Sequence, residues 1–226
     1  IKVKIMNLPK KDKKGKSYLS YSQISLFKRD KEEYKDIYIN NRKFEGNEYT
    51  DFGSKVGEAL EKNNFDSFTL TEGTILKMCT RLDIFERRTI LDYDKYNFYV
   101  VGYIDTIDND LTTIIDYKTG GKNKELQYKE DNYFQIQLYA LSIMQETGIE
   151  PKKGLIEFIR RKGNAFKGEK LIIGNEPPIK IDIDLSMDRL KKVYWDILKT
   201  AKEIEKFYLL EKIITICQLN KRRFFK

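Results

Sequence analysis

The residues most able to do chemistry lie in "GYIDTIDNDLTTIIDYKT", residues 102–119. Two apolar runs of β-strand character each carry one aspartate, Asp105 and Asp116, and Lys118 follows two residues after the second. A charge inside a strand is costly to bury unless something pairs with it. If Asn109 and Asp110 form a two-residue hairpin turn, Asp108 pairs with Leu111, Asp105 lies opposite Ile114, and Asp116 lies opposite Tyr103. Residues opposed across a hairpin share a face, as do residues two apart on a strand. Asp105, Asp116 and Lys118 therefore point to one side of the sheet. Two neighbouring carboxylates repel, so one stays protonated unless a divalent cation sits between them. Lys118 beside them can neutralise the pair in part, and can orient or deprotonate a water. The same spacing also suits a salt-bridged turn at a sheet end.

These residues need elements to hold them. Residues 20–39 open with a capping serine and show helical spacing at Ile24, Phe27 and Tyr34. Residues 50–62 predict a second helix with Phe52, Val56, Ala59 and Leu60 on one face. Residues 81–108 predict strand, turn at Asp92–Tyr96, and strand; residues 111–119 give the next strand. An amphipathic helix fills 130–148 and ends at Gly148. Strands follow at 153–163 and 179–185, and then Ser186 caps a long helix with apolar positions at Met187, Leu190, Tyr194, Ile197, Leu198, Ala201 and Ile204. This order predicts an α/β (α+β) fold, a central mixed sheet flanked by helices. Residues 1–226 read as one domain, with a basic arm at 1–16, a core at 17–212 and a basic tail at 213–226.

Composition removes several classes of chemistry. The chain of 226 residues has no histidine, the commonest general base and imidazole ligand, so chemistry must run on carboxylates, Lys, Tyr, Cys or hydroxyls. Cys79 and Cys217 form no CxxC pair, which leaves a cysteine-built zinc or iron–sulfur site without support. No apolar run approaches the roughly 20 residues that span a bilayer, and no signal-peptide pattern is present. A reducing cytoplasm, bacterial or that of a phage-infected host, is the expected setting. Ile1 in place of Met predicts a trimmed start or a longer parent protein. Of the net charge of +8, the first sixteen residues hold seven Lys against one Asp, and residues 186–226 hold eleven Lys/Arg against five Asp/Glu. Basic margins around a slightly acidic centre suit a polyanion held over a cation site, and equally a Lys-rich protein with solvated tails.

The motifs together, Gly102-x-x-Asp105, then Asp116-x-Lys118, then Gln135-x-x-x-Tyr139, resemble the RecB-type branch of the PD-(D/E)xK nuclease superfamily. "LSYSQISLF" and "FGSKVGEALE" are similar to that family's first two helices. The resemblance covers roughly residues 18–160 and implies a restriction-endonuclease-like core. It implies a metal-dependent deoxyribonuclease, an exonuclease in recombination, repair or phage DNA processing. It further implies that Asp105, Asp116 and the Tyr117 carbonyl hold Mg²⁺ or Mn²⁺. Lys118 would activate the attacking water, Gln135 would position it, and Tyr139 would bond a phosphate. DNA is the implied partner, with a helicase or recombination protein as a second and no membrane. An inactive DNA-binding module, or a structural subunit of a helicase–nuclease complex, is the alternative.

Two departures from the family stand out. Gly57 replaces the His expected on the second helix, and the cysteines of an iron–sulfur cluster are missing. Glu61, one turn on and about 40° round the axis, leans back toward residue 57 and can stand in as a ligand. It can equally be an exposed carboxylate paired with a Lys, with water filling the gap. Arg160, Arg161 and Lys162 at a strand end suit phosphate contacts or a solvated turn. Tyr21, Ser22 and the aromatics Phe224 and Phe225 among basic residues suit contact with a DNA strand, with a disordered tail as the other reading of the last residues.

Overall fold

The structure, a computed structural model, describes residues 5–129 and 133–224, with side chains in the last helix through Cys217. The elements run β1 (Ser17–Ser20), α1 (Tyr21–Arg29), α2 (Lys31–Tyr34), a π-helical turn (Lys35–Ile39), α3 (Glu48–Lys62), α4 (Leu70–Leu76), β2 (Ile84–Tyr93) and β3 (Phe98–Ile107). After them come β4 (Thr113–Gly120), a 3₁₀ stretch (Lys124–Lys129), α5 (Gln135–Thr147), β5 (Lys153–Lys162), β6 (Ile172–Ile173), β7 (Ile179–Ile183) and α6 (Met187–Phe224). The chain divides into two compact units: residues 1–44, 90–101 and 191–226, and residues 45–89 and 102–190.

In the first unit β1 runs parallel to the opening of β3, with Ser17 beside Phe98 and Ser20 beside Val101. The Ser20 side chain caps α1 by accepting from the Gln23 amide. The expected single helix over 20–39 is instead broken at Asp30. That residue is extended, and its carboxylate accepts from the Glu33 amide, so it ends one helix and caps the next. Within α6 the positions Ile197, Leu198, Ala201 and Ile204 are buried as expected, whereas Met187 is exposed. The helix continues through the segment expected as a tail; the side chains of Lys221, Arg222, Arg223, Phe224 and Phe225 lie outside the described residues.

The second unit carries the charged motif. β4 lies antiparallel to β3 and parallel to β5, and β5 pairs antiparallel with β6 and β7. The sheet is mixed, with α3 and α4 on one face and α5 on the other. On β4, Ile115 and Tyr117 join Phe52, Val56 and Leu60 of α3 in one apolar core, with Leu155 and Ile159 of β5. Each fully buried aliphatic side chain there is worth roughly 1.5–3 kcal/mol of transfer free energy. The alternating positions, Asp116 and Lys118, face α5.

The hairpin differs from the sequence expectation by two residues. Ile107 pairs with Ile114 and Thr106 with Ile115, so the loop is longer than a two-residue turn. The extra length has a cause: the Asp108 carboxylate accepts from the amides of Thr112 and Thr113 and from the Thr112 hydroxyl. Leu111 turns the loop with a left-handed φ of 59°. A shift of two preserves faces. It also improves the alignment, since one further step along this register sets Asp105 directly opposite Asp116. α4 and β6 were not foreseen; α4 opens on a reciprocal cap between Thr69 and Glu72.

Candidate active site

Regular pairing of β3 with β4 stops at Thr106 and Ile115. Beyond it the strands part, and the Tyr117 amide donates to Asp105 Oδ2 at 2.7 Å in place of a backbone carbonyl. The carboxylate is thereby tied to the opposite strand. On that strand Lys118 Nζ lies 2.6 Å from Asp116 Oδ2, and Asp116 is fully buried.

α5 completes this face. Gln135 Nε2 donates to the Tyr139 hydroxyl at 2.5 Å, which is the i, i+4 relation expected of one helical face. Tyr133, just before the helix, places its hydroxyl 3.0 Å from both Asp116 Oδ2 and Gln135 Oε1. One O–H can serve only one acceptor at a time, so Tyr133 can turn its proton toward either the carboxylate or the amide. The Tyr139 ring lies so close to β3 that a Cβ at Gly102 would come within 2.5 Å of it. Gly102 is therefore what allows α5 this close to the strand.

Burial and the neighbouring Asp116 push Asp105 up to about 7, against the pull of Lys118 and the Tyr117 amide. Burial works against the Lys118 ammonium, but the carboxylates of Asp116 and Asp105 outweigh it and hold its pKa above the usual range. In this setting the ammonium form of Lys118 is favoured, which makes it a hydrogen-bond donor. Burial, and next the Asp116 charge, raises the Tyr139 hydroxyl, which remains a phenol.

Where β3 and β4 part, a cavity of about 670 Å³ opens beside α3, lined by Gly57, Glu61, Glu86, Asp105, Tyr117 and Lys118 among others. Nothing lies within 4 Å of where a Gly57 Cβ would project. Glu61 and Glu86 are both exposed on this wall. Burial and the charge of Glu61 raise the Glu86 carboxyl. Glu86 sits within β2 with a left-handed φ of 49°, a strained conformation for a residue with a side chain.

Among the described residues no three of His, Cys, Asp and Glu form a ready cage for a metal. The carboxylate pair nevertheless fits a hard cation. Asp116 Oδ1 is buried without a hydrogen-bond partner among the described residues, and Asp105 is pushed toward protonation by burial and then by its neighbour. A divalent ion would relieve both, with water completing its shell.

The structure brings Asp105, Asp116, Tyr117, Lys118, Gln135 and Tyr139 together and sets Glu61 on the same cavity. Other predicted residues stand apart. Arg160 is paired with Glu125 at 3.1 Å, and the Arg161 guanidinium stacks over Tyr49 at 4.1 Å. Lys162 is exposed at the end of β5. Ser22 belongs to the first unit, where its hydroxyl meets that of Ser20 at 2.9 Å. Tyr133 and Glu86 escaped sequence reasoning. Tyr133 lies outside the spaced motif, two residues before Gln135, and only a backbone angle turns Glu86 to the cavity.

A splayed hairpin carries Asp and Asp-x-Lys, and a covering helix brings Gln and Tyr to the same face. The family model of the PD-(D/E)XK nuclease superfamily matches residues 57–207, two thirds of the chain, and the chain belongs to that superfamily. Among solved structures, the crystal structure of SSO0001 is similar over 84% of this chain and 78% of its own, at 17% identity and a TM-score of 0.43. No curated protein matches the chain.

Proposed function

We propose that this protein is a Mg²⁺- or Mn²⁺-dependent deoxyribonuclease of the RecB-type branch. It acts as an exonuclease in recombination, repair or phage DNA processing, with residues 1–226 serving that one activity. The observation that carries this reading is the Asp105–Asp116–Lys118 cluster, whose buried, unpartnered Asp116 Oδ1 faces the problem a cation solves. Asp105 and Asp116 would hold the ion, with the Tyr117 carbonyl as a further ligand and Glu61 or water where the family has His. When bound, the ion supplies Lewis acidity toward the phosphate and a lowered pKa for coordinated water.

The chain's own groups do the rest. Lys118, held charged, donates to the attacking water or to an equatorial phosphate oxygen and stabilises charge that grows during displacement. Gln135 fixes the orientation of the Tyr133 and Tyr139 hydroxyls and positions the water. Tyr139, kept as a phenol, bonds a phosphate oxygen. Lys162 and Arg161 extend a basic edge for the strand, with Ser22 as a further DNA contact, while Arg160 is committed to Glu125. A helicase or recombination protein is the partner class proposed.

The test is incubation with end-labelled linear DNA and covalently closed circular DNA in Mg²⁺, Mn²⁺ or EDTA. Release of short products from linear DNA alone, abolished by EDTA, is the expected result. Cleavage of the circle would replace exonuclease by endonuclease, and inert DNA under every condition would favour a DNA-binding module that has lost its chemistry.

A further inference from the structure

A second cavity, of about 400 Å³, lies along β7 beneath the start of α5. Its size falls in the range of small-ligand sites, about 300–1,000 Å³. Tyr128, Tyr133, Gln137, Lys129, Ile181 and Arg189 are among its walls. Tyr133 joins it to the catalytic cluster, since this side chain lines the cavity while its hydroxyl touches Asp116.

Gln137 carries the argument. Its amide is almost wholly buried, at 3% exposure. Nε2 donates to the Asp184 carbonyl at 3.3 Å. A carbonyl only accepts, so the amide is fixed in this sense and cannot be turned over. Oε1 then remains buried with no hydrogen-bond partner among the described residues. A buried acceptor left unmade is costly, and a ligand that brings an N–H relieves it. The flat walls are aromatic: Tyr128 and Tyr133 meet edge to face at 4.9 Å, so an incoming planar ring finds a face and an edge to pack on. Lys129, Lys180 and Arg189 line it beside Asp182 and Asp184, and the Arg189 charge acts on Asp184.

We infer that this cavity receives the base of the nucleotide next to the cleaved phosphodiester. Each base can bring the N–H that Oε1 lacks: adenine and cytosine through the exocyclic amine, guanine through its amine or ring N1–H, and thymine through its ring N3–H. One tyrosine side chain separates cavity and cluster, which is the scale of one nucleotide step. The inference rests on the nuclease reading above and adds to it a base-binding site.

The probes are the four deoxynucleoside 5′-monophosphates, titrated in EDTA into labelled full-length protein. The side-chain amide signal of Gln137, assigned from its loss in Gln137→Leu, reports on binding. The expected result is that all four shift that signal and bind roughly tenfold tighter than 2-deoxyribose 5-phosphate titrated alongside, and that Gln137→Leu narrows the gap, in line with the per-base contributions seen at such sites. Arg189→Glu, on the surface, should weaken all four alike, which keeps the test valid if the buried variant fails to fold. In cleavage assays Gln137→Leu should raise KM, with kcat close to that of the parent protein. Equal binding of 2-deoxyribose 5-phosphate, or signal changes that spare Gln137, Tyr128 and Tyr133, overturns the site, as does weakening by Arg189→Glu that depends on the base. Lys118→Ala separates the two readings. Lost cleavage with nucleotide binding intact supports both, whereas normal cleavage removes the catalytic assignment and the base site's adjacency with it.

Discussion

The two sides of the splayed hairpin are finished to different degrees. Toward α5, Asp116 is fully buried and each neighbour is tied: Lys118 to its carboxylate, Tyr133 to that carboxylate and to Gln135, and Gln135 to Tyr139. Toward α3, the wall includes Gly57, Glu61 and Glu86 around open space. The closed side is preorganised, which is what a site needs where charge develops during reaction. The open side is roomy and acidic, which suits ligands that exchange, such as water or an incoming strand. Under the proposed function, the open side is where substrate and exchanging water would enter, and the closed side holds the groups that would meet them.

The sharpest way to break this comparison is at Lys118. Lys118→Ala should lower turnover by roughly 10²–10⁴-fold while the rise in melting temperature with Mn²⁺ persists; single-turnover cleavage and thermal scans check the two halves. Asp105→Ala and Asp116→Ala should instead abolish that thermal shift, because a ligand stabilises only through the folded state that binds it. An undiminished Mn²⁺ shift in both would remove the carboxylates from the metal site.

Tyr133→Phe comes next, deleting one hydroxyl from the closed side. A neutral hydrogen bond is worth about 0.5–1.5 kcal/mol, so kcat should fall by roughly 2- to 10-fold with the fold intact. A larger loss would make Tyr133 a participant in proton transfer.

Acidity offers a third measurement. Asp105 is pushed up to about 7, above the roughly 3.9 of an unfolded Asp. A raised carboxyl favours the folded state fully below the unfolded value and loses that contribution as pH climbs through the folded one. In EDTA the melting temperature should therefore decline from about pH 4 to about pH 7, and the Mn²⁺-induced rise should grow across the same window as metal displaces the proton. A metal shift independent of pH there would contradict the coupling between Asp105 and Asp116.

The mildest changes belong to the open side. Gly57→His meets no neighbour within 4 Å of its Cβ. It should favour Mn²⁺ over Mg²⁺ and weaken binding below about pH 6.5, and it should add at most about 0.5 kcal/mol, the gap in helix propensity between Gly and His. Glu61→Gln should loosen metal in the natural protein and matter less when combined with Gly57→His. Calorimetric titration decides both. If neither alters affinity, α3 takes no part in the site.

Much of this was legible in the chain. Period-two alternation gave the faces of β3 and β4, and helical spacing gave the buried stripe of α3, because both follow from local geometry. The Gly102, Asp105, Asp116, Lys118, Gln135 and Tyr139 set could be read from spacing and resemblance together. Register could not, because a side chain, Asp108, holds the loop open where turn propensity favoured two residues. The break at Asp30 was hidden for a related reason: one carboxylate caps a new helix inside a periodic pattern. Glu86 depends on a single left-handed residue in a strand, which carries no sequence signature in a glutamate. Arg160 looked available to phosphate until the fold supplied Glu125 from 35 residues away.

The contact between Gly102 and Tyr139 sets a clearance. With a Cβ due 2.5 Å from the ring, Gly102→Ala must push Tyr139 outward, and Gln135 and Tyr133 are coupled to that ring through successive hydrogen bonds. A methyl group with no charge, no proton and no affinity for metal would then misalign a site whose charged members are all still present. Such a variant would resemble a chemical knockout in an activity assay and a mild packing fault in a melting curve, and it would bind Mn²⁺ as before. Inactivity in this protein can thus originate in a shim as readily as in a reagent.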